Sequence, residues 1–315
     1  MNSQAALNRR QAALWLASAA FPFAASAWPS RAAGQKISAV ASFSILADWV
    51  SQVGGGRVDV TALVGPGQDA HAFSPSPASV VPVVKAQIIF VNGLGFEGWI
   101  ERLIAASGAK GLLVTATRGI KPLPPKQAGG GHADHNHGHA GADPHIWHSP
   151  LHAQSCVRNI RDALSALDPA GQTEFGQNAQ RYLDQLQSLD AEINAILSVI
   201  PADRRKVVTS HDAFQYFEQR YGIRFLSPAG VSSAAEPSAR DMARIIRQIK
   251  LERIPAVFME NITSPALMRR IAAETGARIG GTLHSDALSA PGGPAADYVS
   301  LMRANAVTLA AALKA

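Results

Sequence analysis

The chain contains a single cysteine, Cys156, in 315 residues. No internal disulfide can form, and neither a Cys-x-x-Cys redox pair nor a thiolate zinc cluster can be assembled. Any metal chemistry must therefore rest on imidazole and carboxylate groups. Charged residues make up only 17% of the chain, and the basic ones are scattered rather than clustered. The formal charge of +6 comes without helix-turn-helix, RNP-like or zinc-finger spacing, which argues against a nucleic-acid partner. His-Glu-x-x-His and Gly-x-Ser-x-Gly are also missing, so the usual zinc-peptidase and hydrolase signatures are absent. No apolar run reaches the roughly 20 residues that a spanning helix needs.

The apolar stretch that comes nearest, Ala12 to Ala27, is interrupted by Pro22. It follows a basic Asn8-Arg9-Arg10 and ends on Ala25-Ser26-Ala27, so residues 1–27 read as an export signal. Cleavage after Ala33 is the alternative, and the arginine pair leaves the twin-arginine and general routes both open. No cysteine lies near the junction to carry a lipid anchor, so the expected mature protein is soluble and periplasmic. Without Arg9 and Arg10 its formal charge falls to +4.

At 47% hydrophobic, the remainder can bury a sizeable core. Strand-like runs at 37–41, 58–64, 88–91 and 112–115 alternate with helical patterns at 45–53, 78–85 and 96–106. Strands separated by helices imply βαβ units and parallel sheets. Residues 117–143 break the pattern with Pro122, Pro124, Pro125, a glycine triplet and a histidine cluster, and read as a long loop. From 170 to 199 no proline interrupts a helical spacing of Phe175, Ala179, Tyr182, Leu186, Leu189, Ile193 and Ile196. A second alternation follows, with strands at 207–209, 224–226, 256–259 and 277–280 and helices at 213–221, 239–250, 265–275 and 295–313. The first strand, helix and glycine of each half are also alike. The expected fold is α/β, two doubly wound lobes with parallel sheets joined by one long rigid helix: an N-terminal lobe at 36–168 carrying a histidine-rich loop at 128–142, a linking helix at 169–199, and a C-terminal lobe at 200–315. Ligands of open parallel sheets bind at the carboxyl ends of the strands, and two facing lobes place those ends at a shared cleft.

Ten histidines are present. Three of them stand where strand-like segments end or loops return to the fold: His71 in Gln68-Asp-Ala-His-Ala-Phe, His145 in Asp143-Pro-His-Ile-Trp, and His211 in Thr209-Ser-His-Asp-Ala-Phe. Asp286, in His284-Ser-Asp-Ala-Leu, follows the last strand pattern. His71 and His145 are 74 residues apart, and His211 and Asp286 are 75 apart, so each lobe would contribute two donors at a similar interval. Three imidazoles and one carboxylate suit a four-coordinate zinc site. An ordinary hydrogen-bonded side chain is the alternative for any one histidine; the context of all four together outweighs it.

These segments resemble the metal-binding receptors of ABC importers, the zinc-uptake type called ZnuA-like or TroA-like. The resemblance runs from about Lys36 to the C-terminus in four ordered motifs: Gly67-Gln-Asp-Ala-His71 with Ser-Pro-Ser-Pro just after, Asp143-Pro-His145-Ile-Trp, Thr209-Ser-His211-Asp-Ala-Phe-Gln-Tyr-Phe with Glu236-Pro-Ser beyond, and Ser285-Asp286-Ala-Leu. It implies two α/β lobes on one backbone helix, His71, His145, His211 and Asp286 as ligands of a transported zinc ion, an ABC permease as partner, and a monomer. His148, where related sequences carry an apolar residue, could replace His145 if the backbone were helical there. His284 is a rival to Asp286 or a group behind it, and His152 reads as a surface residue. His132, His135, His137 and His139 resemble the histidine-rich insert of zinc-selective members, a weak trap for extra zinc; a solvated linker is the alternative. Manganese is the second candidate ion, but three imidazoles favour zinc. A catalytic zinc keeps an open position that four protein donors do not leave, so an enzyme is not expected. A zinc buffer without a permease remains a further alternative.

Overall fold

The computed structural model describes residues 35–126 and 141–314. The first half forms β1 (Ile37–Phe43), α1 (Ser44–Gly54), β2 (Val58–Val64), α2 (Pro77–Lys85), β3 (Ile88–Val91), α3 (Ile100–Ser107) and β4 (Leu112–Thr115). Its four strands make one sheet in the order β2-β1-β3-β4, every pair parallel, with Ile37 opposite Val58 and Phe43 opposite Val64. The central β3, Ile-Ile-Phe-Val, is buried throughout, as a strand covered by helices on both faces must be.

Two long helices follow, α4 (Pro150–Leu167) and α5 (Gln172–Leu197). The sequence pattern had identified only the second. Pro150 opens α4 at the position where a missing N–H costs nothing, and Ala153, Cys156, Val157, Ile160 and Leu164 form its buried stripe. The second sheet is built from β5 (Lys206–Val208), β6 (Arg224–Leu226), β7 (Ala256–Glu260) and β8 (Arg278–Leu283), with α6 (Gln215–Tyr221), α7 (Ala239–Glu252), α8 (Ala266–Thr275) and α9 (Tyr298–Leu313). Its order, β6-β5-β7-β8, all parallel, repeats the arrangement of the first sheet. The internal likeness in the sequence is thus a repeated topology.

Helix α5, 26 residues and so about 39 Å long, joins the two halves. Near its start, Asn178 donates to the Val53 carbonyl at 3.0 Å and the Tyr182 hydroxyl meets Asp48. Near its end, Asp190 accepts from Arg220 and from the Tyr221 hydroxyl, and Glu192 pairs with Arg303 of α9 at 2.6 Å. One helix is therefore gripped by α1 in the first half and by α6 and α9 in the second. Bending it would break packed backbone hydrogen bonds, so metal binding should leave the overall shape almost unchanged. Solution scattering with and without zinc should show a change in radius of gyration of no more than about 1 Å; a larger compaction would mean that α5 is not rigid. Among the described residues, no helix is long and apolar enough to cross a membrane.

Candidate metal centre

Every proposed ligand sits beyond the carboxyl end of a strand. His71 follows β2, His145 lies on the return from β4, His211 comes three residues after β5, and Asp286 three after β8. Their donor atoms all lie within 4.8 Å of one another. His71 Nε2 is 3.2 Å from His145 Nε2 and 3.4 Å from Asp286 Oδ2, while Asp286 is 3.2 Å from His211 Nε2 and 3.8 Å from His145 Nε2. Bonds of about 2.0–2.1 Å to a central ion give a regular tetrahedron an edge of about 3.3–3.4 Å. Three of the separations match that edge, and a small inward movement of the others would close the four donors on a small divalent cation.

Each of these side chains is set by its neighbours. Asp143 Oδ1 accepts from the His145 backbone N–H at 3.0 Å and lies 2.7 Å from the ring Nδ1. Glu260, the last residue of β7, accepts the backbone N–H groups of Ser210 and His211 through Oε1 at 2.7 and 3.0 Å, and its Oε2 is 2.6 Å from His211 Nδ1. A carboxylate on Nδ1 holds the proton there and leaves Nε2 free as the metal donor. His71 is held differently: its N–H is accepted by Asp69 Oδ1 at 2.8 Å and its ring rests edge-on against Phe96 at 4.7 Å. Trp147 packs on both Phe96 and His145, and its indole N–H donates to the Ser285 carbonyl beside Asp286.

Phe96 is placed by an irregular segment. The helix expected from Phe96 begins only at Ile100, because Gly93, Leu94 and Gly95 all take positive φ and the Glu97 side chain folds back onto the backbone N–H groups of Asn92 and Gly93. Burial pushes the Glu97 carboxyl up from its ordinary pKa, and these donors with Ser42 compensate.

Asp286 is completely buried, and neither carboxylate oxygen receives a hydrogen bond of good geometry. An isolated carboxylate in such a place costs several kcal/mol or more, so the site calls for positive charge. Burial would raise the Asp286 pKa, but the neighbouring His211 and His145 outweigh it and hold the carboxyl well below its usual range. Burial likewise opposes charge on His211, yet Glu260 and Asp286 on either side keep its imidazole well above the ordinary value. The His71 imidazole is lowered, chiefly by burial.

The other histidines lie apart from this cluster. His148 falls in a 3-10 turn, Ile146–His148, and His145 precedes that turn with a non-helical ψ of 44°, so the helical alignment that would let His148 replace it is absent. Its ring is instead fully buried against Phe214 at 4.3 Å, with neither nitrogen hydrogen-bonded. His284 lies beyond the end of β8, where Asn305 takes both its backbone N–H and its carbonyl. His152, expected on the surface, is half-buried with its ring edge-on to Tyr216 at 5.1 Å. His132, His135, His137 and His139 lie outside the described residues. Glu260, Phe96 and Trp147 were not singled out from the sequence. Glu260 had one usable signal, its place at the carboxyl end of a strand.

Burial pushes the His148 pKa down to about 3, whereas in the unfolded chain it titrates near 6.5. Between these values the unfolded chain binds a proton that the folded protein does not, so stability is lost as pH falls below about 6.5. The slope is up to about 1.4 kcal/mol per pH unit. His148→Phe keeps a ring on Phe214 and removes the titration. The metal-free variant should therefore lose less melting temperature between pH 6.5 and 4.5 than the wild type. Identical acid limbs would show that this imidazole protonates freely in the fold.

Two parallel sheets on one long helix, with a buried cluster of three histidines and an aspartate at their strand ends, define a metal-binding receptor of the class that serves ABC importers. The chain belongs to the family described as zinc-uptake complex component A, periplasmic, whose model matches residues 39–312. It is 33% identical over 278 residues to the iron-binding protein YfeA of Yersinia pestis, covering 88% of this chain and 86% of that protein. To the manganese-binding lipoprotein MntA of Halalkalibacterium halodurans it is 30% identical over 280 residues, covering 89% of each. The solved structure of the periplasmic zinc-binding protein TroA from Treponema pallidum matches with a TM-score of 0.81 at 30% identity, covering 89% of this chain and 99% of that one. Relatives of one fold are thus named for three metals, and the fold alone does not choose the ion.

Proposed function

We propose that this protein captures one zinc ion outside the cytoplasmic membrane and delivers it to an ABC permease. On this reading His71, His145 and His211 bind through Nε2 and Asp286 through its carboxylate. The observation that carries it is the spacing of the four donors, which fits a four-coordinate ion of zinc's size. Manganese and iron enter because relatives are named for them. The donor set supports zinc over manganese: three imidazoles and one carboxylate suit zinc, whereas manganese prefers a shell richer in oxygen. Four protein donors leave no open position for a water, so the site binds and releases rather than hydrolyses.

The rest of the assignment follows from the sequence. Residues 1–27 act as a removable leader, and the mature protein is soluble, periplasmic and monomeric, with lobes at 36–168 and 200–315 on the linking helix at 169–199. His132, His135, His137 and His139 supply weaker, auxiliary zinc binding, because glycine-rich chain must be ordered at an entropic cost to use them.

The test is the metal content of protein purified from periplasm without added metal, with competition between zinc and manganese for the wild type and His211→Glu. The substitution exchanges an imidazole nitrogen for a hard oxygen and adds negative charge. Wild type should carry zinc and prefer it, and the variant should show a narrower gap. A wild type that carries manganese, or a ratio unchanged by the substitution, would overturn the reading.

A further inference from the structure

Beside the metal centre lies a cleft of about 530 Å³, bordered by Asp69 from the first half of the chain and by Ser210, His211, Ser233 and Thr263 from the second. Away from this cleft the halves are held firmly. The Leu288 N–H donates to Ser44 at 3.0 Å, the Tyr298 N–H to Asp48 at 3.1 Å, and the Tyr298 hydroxyl to the Trp147 carbonyl at 2.6 Å. One continuous apolar core runs through these contacts. Helices α7 and α8 pack over a separate, smaller core around Met242, Ile245 and Ile271.

Between β6 and α7 the chain from 227 to 237 has neither helix nor strand. Among the described residues, one hydrogen bond ties this segment to the first half: the Ser233 hydroxyl donates to Asp69 Oδ2 at 2.7 Å. The other Asp69 oxygen accepts the backbone N–H groups of His71 and Ala72 at 2.8 and 3.4 Å. A single carboxylate therefore carries both the turn that presents His71 and the contact that closes the cleft beside His211.

We propose that the Ser233–Asp69 hydrogen bond is a latch on this cleft, controlling how fast metal enters and leaves without setting the geometry of its ligands. A hydroxyl bonded to a carboxylate is stronger than a neutral pair, and swinging the 227–237 segment outward breaks this bond and no other hydrogen bond to the first half. When Ser233 is replaced by alanine, Asp69 Oδ1 still holds the His71 turn. The ligand set is unchanged and only the barrier falls, so rates rise in both directions.

The experiment is stopped-flow zinc binding to the full mature chain and release into excess EDTA. In Ser233→Ala both rate constants should rise about tenfold, the loss of one charge-assisted hydrogen bond, while Kd stays within about threefold of wild type. Ser233→Thr, which keeps the hydroxyl, should retain wild-type rates. Asp69→Ala, which also frees the His71 turn, should weaken Kd as well as speed release. Wild-type release in Ser233→Ala would refute the latch, and a faster release matched by an equal loss of affinity would make Ser233 a ligand-positioning residue instead. The proposal rests on His71, His145, His211 and Asp286 binding the ion. Failure of that assignment would appear separately, as absence of tight zinc binding in the wild type.

Discussion

Alanine at His71, His145, His211 or Asp286 is expected to weaken zinc binding by about 10²–10³-fold in each case. Structural zinc sites contribute about 10–16 kcal/mol over four ligands, so each donor accounts for roughly 2.5–4 kcal/mol, and every 1.4 kcal/mol is tenfold in Kd. His152→Ala is the control. Its ring meets Tyr216 and not the cluster, so its affinity should stay within about threefold of wild type. Competition against a chelator of known affinity reads both. Asp286→Ala carries a second signature, because His211 and His145 hold this buried carboxyl well below its usual range. Without metal, at neutral pH, the variant should therefore melt lower than the wild type, and the difference should shrink as pH falls below about 4. A loss at His152 equal to that at the four would sink the assignment.

Glu260→Gln and Asp143→Asn should each cost about 10–100-fold in zinc affinity although neither residue touches the ion, because they fix the imidazoles that do. An amide can present its NH₂ group to Nδ1, and the ring then loses the proton that directs Nε2 toward the metal. The effect should be larger for Glu260→Ala, since Ser210 and His211 would both be left with buried, unaccepted N–H groups. Calorimetry on metal-free and zinc-loaded protein separates the two contributions. The amide variants should keep the metal-free melting temperature within a few degrees and lose mainly the zinc-induced rise. Unchanged affinity in Glu260→Gln would mean that backbone geometry alone orients His211.

Much of the fold was legible in the chain because short, largely apolar runs separated by helical patterns read as the parallel strands of βαβ units. β2, β3, β4 and β6 begin and end at the residues the pattern indicated. Helix α4 was missed although its buried stripe has helical spacing. It opens on Pro150 directly after the His145 motif, and a proline there reads as a turn as readily as a helix start. The late start of α3 was not readable, since it depends on how the Glu97 side chain caps Asn92 and Gly93.

The sequence by itself determined the kinds of donor available, the places where they leave the strands, and the repeated halves that would bring them together. One cysteine excluded thiolate chemistry, and ordered motifs selected three histidines out of ten. Only the tertiary structure decided which nitrogen His145 and His211 turn toward the cluster, because that depends on Asp143 and Glu260 approaching Nδ1. Glu260 is 49 residues from His211, and sequence spacing carries no information on such a contact. The same holds for His148 and Asp69. A buried imidazole packed on Phe214 and a carboxylate shared between a ligand turn and a distant serine are products of packing, which brings together groups that the linear chain keeps apart.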